Sequence, residues 1–104
     1  MQRYAFKMYL NPGQQAEYRR RHDAIWPELV QLLRDAGVTN YSIFLDTETS
    51  ALFACLERPD NHRMHQLADH PVMRKWWEHM RDIMRTSDDG EPLAIALPEM
   101  FHMS

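Results

Sequence analysis

The stretch "YRRRHDAIWPEL" at residues 18–29 sets a tyrosine and a histidine four positions apart, Tyr18 and His22. On a helix that spacing puts both rings on one face, so they can meet the same bound molecule. An imidazole gives or takes a proton near neutral pH and a phenol orients hydroxyls, which together suit acid and base chemistry on a polar substrate. The same spacing admits a plainer reading, with His22 a core histidine satisfied by a backbone carbonyl and Tyr18 a boundary residue. Around the pair, Glu17, Arg19, Arg20, Arg21 and Asp23 read as a solvated face rather than an anion site.

A second candidate is "KWWEHM", residues 75–80. Neighbouring helical residues point about 100° apart, so Trp76 and Trp77 cannot share a direction. Trp77 keeps step with Met73, Met80 and Met84 and is expected in the core. Trp76 is left to border a cleft, where an indole offers a flat apolar face and one N–H donor, both useful to a sugar ring. A second core or interface tryptophan is the competing reading. Tyr41 heads the inward row of a strand with Ile43 and Leu45, and its hydroxyl is expected to reach past the core.

Other chemistries find little support. His62 and His65 stand three apart, but no third ligand falls at a spacing typical of zinc, and His70 and His79 lie out of register. Glycine is confined to Gly13, Gly37 and Gly90, too sparse for a phosphate loop, and no serine sits beside a histidine in a nucleophile elbow. Cys55, inside the apolar run "ALFACL", reads as a small buried hydrophobe. Acid and base chemistry without metal or cofactor is what remains.

The elements that must carry these residues follow from periodicity. "RYAFKMYL" alternates as a first strand. Asn11 and Pro12 are expected to open a helix through Arg21, which Pro27 must bend or restart, and "PELVQLLRDAG" closes it at Gly37. "NYSIFLD", "TETS" and "ALFACLER" read as a hairpin, "PDNHRMHQLADH" as a short helix, and Pro71 opens a longer one through "VMRKWWEHMRDIM". After the polar "TSDDGEP", "IALPEMFHM" is expected to form a last strand, held near an edge by Pro98. The order β-α-β-β-α-β predicts an α+β, ferredoxin-like fold: an antiparallel four-stranded sheet with its helices on one face. The strands are nevertheless apolar on both sides, Phe6 and Met8 against Ala5 and Tyr9, and Leu52 and Leu56 against Phe53 and Cys55. With no helices to spare, a second copy of the chain is the expected cover, giving a homodimer.

Composition bounds the partners. A chain of 104 residues, 44% of them apolar, suits one domain over 1–104. Its charge of -3 comes from interspersed acids and bases, with no basic stripe, so nucleic acid is not expected as a partner. No apolar run is long enough to span a bilayer and the first residues lack signal-peptide features, so a cytoplasmic location with no membrane association is expected.

Taken together, "YRRRHDAIWPEL", "NYSIFLD" and "KWWEHM" resemble the L-rhamnose mutarotase family, and the resemblance runs from "AFKMYLNPG" to "EMFHM". It implies a dimeric α+β barrel, no cofactor and interconversion of the α and β anomers of L-rhamnose. It further implies that His22 is the proton donor and that Tyr18, Tyr41, Trp76 and Trp77 bind substrate. Some members carry Asn-Pro after the histidine, where this chain has Asp23 and Ala24. Fold alone does not separate such an enzyme from a cofactor-free small monooxygenase of the dimeric α+β barrel type, nor from a non-catalytic sugar-binding module.

Overall fold

The computed structural model describes residues 1–104. Strand β1 (Gln2–Tyr9) is followed by helices α1 (Gln15–Asp23) and α2 (Pro27–Asp35), then strands β2 (Thr39–Leu45) and β3 (Ala51–Arg58). A 3-10 segment at Met64–Asp69 leads into helix α3 (Pro71–Met80), a second at Arg81–Ile83 leaves it, and β4 (Ile95–Leu97) closes the sheet. The strands lie in the order β2-β3-β1-β4, and every neighbouring pair is antiparallel. That is the ferredoxin-like arrangement expected from the element order.

The first helix does not open at Pro12. Asn11 to Gln14 form a reverse turn, closed by the Gln14 N–H on the Asn11 carbonyl at 3.3 Å, with Gly13 at a φ of +81°. Proline followed by glycine suits the two central positions of such a turn better than a helix start. The stripe from Tyr18 to Ala36 is also shared by two helices rather than one. Pro27 lacks the N–H that a continuing helix needs, and it forces Trp26 to an extended ψ of 130°. The chain therefore leaves α1 after Asp23 and restarts with Pro27 in the first turn of α2.

The inner face of the sheet carries Phe6 and Met8 opposite Ala54 and Leu52, and Leu45 beyond Leu52. Leu29, Leu52, Leu56 and Met80 are fully buried between this face and the helices. Cys55 is not buried as its apolar setting suggested. Leu52, Ala54 and Leu56 take the inward positions of β3, so strand alternation turns Cys55 and Phe53 outward. The outer face joins Phe44 to Phe53 across β2 and β3, and Lys7 to Ile95 across β1 and β4. Phe44 is 67% exposed and Ile95 49% exposed, so the sheet is apolar on a face that no helix covers. β4 is shorter than expected and stops at Leu97, because Pro98 cannot donate to the ladder; it lies at the sheet edge, where Pro98 was expected to hold it. Residues 98–104 carry no regular structure. No helix is long and apolar enough to cross a membrane.

Candidate active site

Between the inner sheet face and the helices lies a cavity of about 760 Å³. Its wall includes all five residues singled out above: Tyr18, His22, Tyr41, Trp76 and Trp77.

The α1 pair is arranged by helical geometry. The Tyr18 and His22 rings stack with centroids 4.3 Å apart and planes 28° from parallel. His22 Nδ1 lies 3.1 Å from the Tyr18 carbonyl oxygen. A carbonyl oxygen only accepts, so Nδ1 carries the hydrogen, and Nε2 is left as the open position of the ring. No buried side-chain nitrogen or oxygen lacks a partner. Nε2 makes no bond within the chain, so it is accessible, and the same reasoning applies to the hydroxyl of buried Tyr18. One nitrogen of His22 is therefore satisfied by backbone, and the other is free.

Burial lowers the His22 pKa below its ordinary 6.5, an effect that the Tyr18 carbonyl and the Asp23 carboxylate oppose in part. The ring rests neutral at pH 7, with Nε2 an acceptor. The two phenols move the other way. Tyr41 is 38% exposed as a residue, yet burial of its hydroxyl end pushes that group up to about 12, and burial together with nearby Tyr41 raises that of Tyr18. Both stay protonated and can donate hydrogen bonds.

Tyr41 reaches the cavity in the same inward row as Ile43 and Leu45, next to an irregularity of the strand. The β2–β3 register shifts between Thr39 and Ser42, and Asn40 sits there at a φ of +47°. Asparagine tolerates this left-handed conformation better than most residues, and the extra residue bends the strand beside the site.

The division of labour expected for the tryptophans holds only in part. Trp76 is 6% exposed and keeps step with buried Met73, Met80 and Ile83, whereas Trp77 is half-buried. The helix ends at Met80, so Met84 lies on different backbone and the proposed Trp77 stripe has no seven-residue step to complete. Both indoles still border the cavity. Trp76 meets His22 edge to face, 5.4 Å between centroids at 90°, and Trp26 in the same manner at 5.1 Å.

Two residues escaped the sequence reading. Trp26 backs Trp76 from behind, and its signal was its place in the motif just before Pro27. Arg21, read as solvated, has a side chain only 12% exposed and bonded across to Asp82. His62 and His65 have ring centroids 6.3 Å apart, the His62 Nδ1 accepting from the Met64 N–H. No three His, Cys, Asp or Glu side chains gather in a way that could hold a metal ion.

Comparison with known proteins converges on one family. The family model described as L-rhamnose mutarotase matches residues 3–103. The L-rhamnose mutarotase of Brucella anthropi is 61% identical over 102 residues, covering 98% of this chain and 96% of its own. That of Rhizobium meliloti is 61% identical over 103 residues, covering 99% of each. The crystal structure of an L-rhamnose mutarotase from Formosa agariphila superposes with a TM-score of 0.92 at 47% identity, over 100% of both chains. The chain belongs to the L-rhamnose mutarotase family.

Proposed function

We propose that the cavity interconverts the α and β anomers of L-rhamnose, with His22 as the group that moves the proton. The observation that carries the residue assignment is the pairing of a fixed Nδ1 with an unpartnered Nε2 on a neutral imidazole. In this reading Nε2 accepts the proton of the anomeric hydroxyl while the bond from C1 to the ring oxygen breaks. The imidazolium then returns that proton to the ring oxygen, leaving an open-chain hydroxy-aldehyde. Rotation about C1–C2 offers the other carbonyl face, and the same steps in reverse close the ring to the opposite anomer. Atoms and charge balance with no electron transfer, so the scheme calls on no cofactor or metal.

The protonated Tyr18 and Tyr41 hydroxyls would donate to the sugar's oxygens, and the Trp76 and Trp77 indoles would hold its apolar face, so that the reacting atoms meet Nε2. One well-placed acid or base contributes about 10² to 10⁴ in rate, which suits a reaction that already proceeds slowly in water. The outer sheet face, with Phe44, Phe53 and Ile95 exposed, supports a homodimer in which two sheets pack together. A cytoplasmic setting fits this reading.

Polarimetry on freshly dissolved crystalline L-rhamnose tests the activity. Catalytic amounts of protein should speed the approach to an unchanged final rotation, since a catalyst lowers both barriers equally. An approach curve identical to that of buffer at micromolar protein refutes the proposal.

A further inference from the structure

We infer that Arg21, which lies outside the cavity wall, is a positioning residue for His22: it ties the last turn of α1 to the end of α3 and so fixes the imidazole against Trp76. The inference rests on the proton-transfer role proposed for His22.

His22 and Trp76 stand on different helices, and their edge-to-face contact depends on how those helices are held. Arg21 supplies the only side-chain hydrogen bonds that run from α1 to α3 and the turn that leaves it. Its Nη1 donates to the His79 carbonyl at 2.6 Å and to Asp82 Oδ1 at 2.8 Å, while Nη2 donates to Asp82 Oδ2 at 3.1 Å. Nε donates to Glu17 Oε2 at 2.6 Å, one turn back on α1. Glu17 is held in turn by Arg20 Nε at 2.9 Å. The guanidinium is thus anchored on both helices at once.

The geometry needs an arginine. A planar fork meets both oxygens of Asp82 in parallel while a third nitrogen reaches Glu17, and a lysine ammonium cannot reproduce that pattern. Adjacent helical residues point about 100° apart, so Arg21 can face the end of α3 while His22 faces the cavity. A displacement of the Arg21 backbone is passed directly to its neighbour. A shift of about 1 Å at a reacting group can cost as much as 10² in rate even when its origin is remote from the chemistry.

The test compares Arg21→Met, Arg21→Lys, Asp82→Asn and His22→Ala by saturation-transfer NMR on L-rhamnose, taking kcat and KM separately. Contacts between the His22 ring and the Trp76 indole are read from the protein's own NMR spectrum. Arg21→Met should lower kcat about tenfold or more with KM within about twofold, and the His22–Trp76 contact should weaken. Arg21→Lys should recover less than half of the lost kcat, and Asp82→Asn should show a smaller loss in the same direction. If Arg21→Met does not fold, the lysine and asparagine variants carry the test through the same two readouts. Folded variants that keep kcat and the ring contact, whatever their melting temperature, overturn the inference. His22→Ala separates the two levels: if it too keeps the parent rate, the role proposed for His22 fails, whereas a loss there alone condemns only the role of Arg21.

Discussion

The Tyr18 carbonyl receives the Nδ1 hydrogen of His22 at 3.1 Å, one turn further along the same helix. This bond selects the tautomer, because a carbonyl oxygen has no hydrogen to give. It also costs α1 little, since His22 lies in the last turn before the helix stops at Asp23. Helix and imidazole are coupled through one backbone atom: the turn that Tyr18 belongs to sets which nitrogen of His22 is open to the cavity.

His22→Ala should therefore lower the anomer exchange rate by about 10² or more, measured by saturation-transfer NMR on L-rhamnose. The variant should still fold, because Leu29, Leu52 and Met80 anchor the core without it. Near-wild activity combined with a much lower melting temperature would make His22 a packing residue only.

The pH profile follows from the resting state of the ring. In the proposed scheme opening the sugar needs a neutral Nε2, and burial lowers the His22 pKa from its ordinary 6.5, so kcat/KM should fall along an acid limb whose midpoint lies below 6.5. Glu17 and Asp82, which hold Arg21, do not contribute to that limb: their arginine partners pull the first down to about 2 and keep the second below its ordinary range. Tyr41, pushed up to about 12, stays protonated throughout. Asp23→Asn removes a charge that favours the imidazolium, so the acid limb should move further down; a limb that moves up contradicts the scheme. Stability has a matching sign. The unfolded chain takes up this proton first, so the contribution of His22 is present above 6.5 and is lost as pH falls through its depressed folded value.

Much of this site was legible in the sequence, and the reason is local geometry. The Tyr18–His22 contact depends on one helical turn, and alternation put Phe6, Met8, Leu52 and Leu56 on the inner face without any tertiary information. What was not legible depended on where helices end. Whether Trp76 or Trp77 belongs to the core turns on α3 stopping at Met80, since steps through Met73, Met80 and either Ile83 or Met84 are equally helical on paper. The break before Pro27 was foreseen in kind, but not that it would split the stripe after Asp23. Cys55 was misplaced because apolar neighbours were taken as burial, when the parity of β3 had already assigned Leu56 to the core and its neighbour to the outer face. Arg21 looked solvated because its partner Asp82 lies sixty-one positions away.

The tryptophans give a prediction that separates packing from binding. Trp76→Ala should cost about 3–5 kcal/mol of folding stability, as the truncation of a buried aromatic does, read from urea unfolding. Trp77 is half-buried with the Arg74 guanidinium 5.3 Å from its ring, so Trp77→Ala should cost clearly less. Trp76→Phe retains a ring beside His22 and Trp26 but loses the indole N–H. It should recover most of the stability while sugar binding stays weakened if that donor is used. Equal stability losses for the two alanine variants would contradict the burial assigned to them.

The outer face of the sheet is where the proposed homodimer is tested. Phe44 and Phe53 are paired across β2 and β3 and lie 67% and 39% exposed. Ile95 extends the apolar surface across β1 to the far edge, with Lys7 the one charged side chain between Phe53 and Ile95. Two such faces packed together would remove these side chains from water, each fully buried aromatic or aliphatic side chain contributing about 1.5–3 kcal/mol. Light scattering at micromolar protein should give twice the mass of one chain. Phe53→Asp would put a carboxylate within that contact, directly across from Lys7 and beside Phe44, where taking charges out of water is costly even for a pair. It should return the mass to that of one chain while leaving the inner core, and hence the far-ultraviolet circular dichroism, unchanged. A Phe53→Asp variant that remains a dimer would place the interface elsewhere on the molecule.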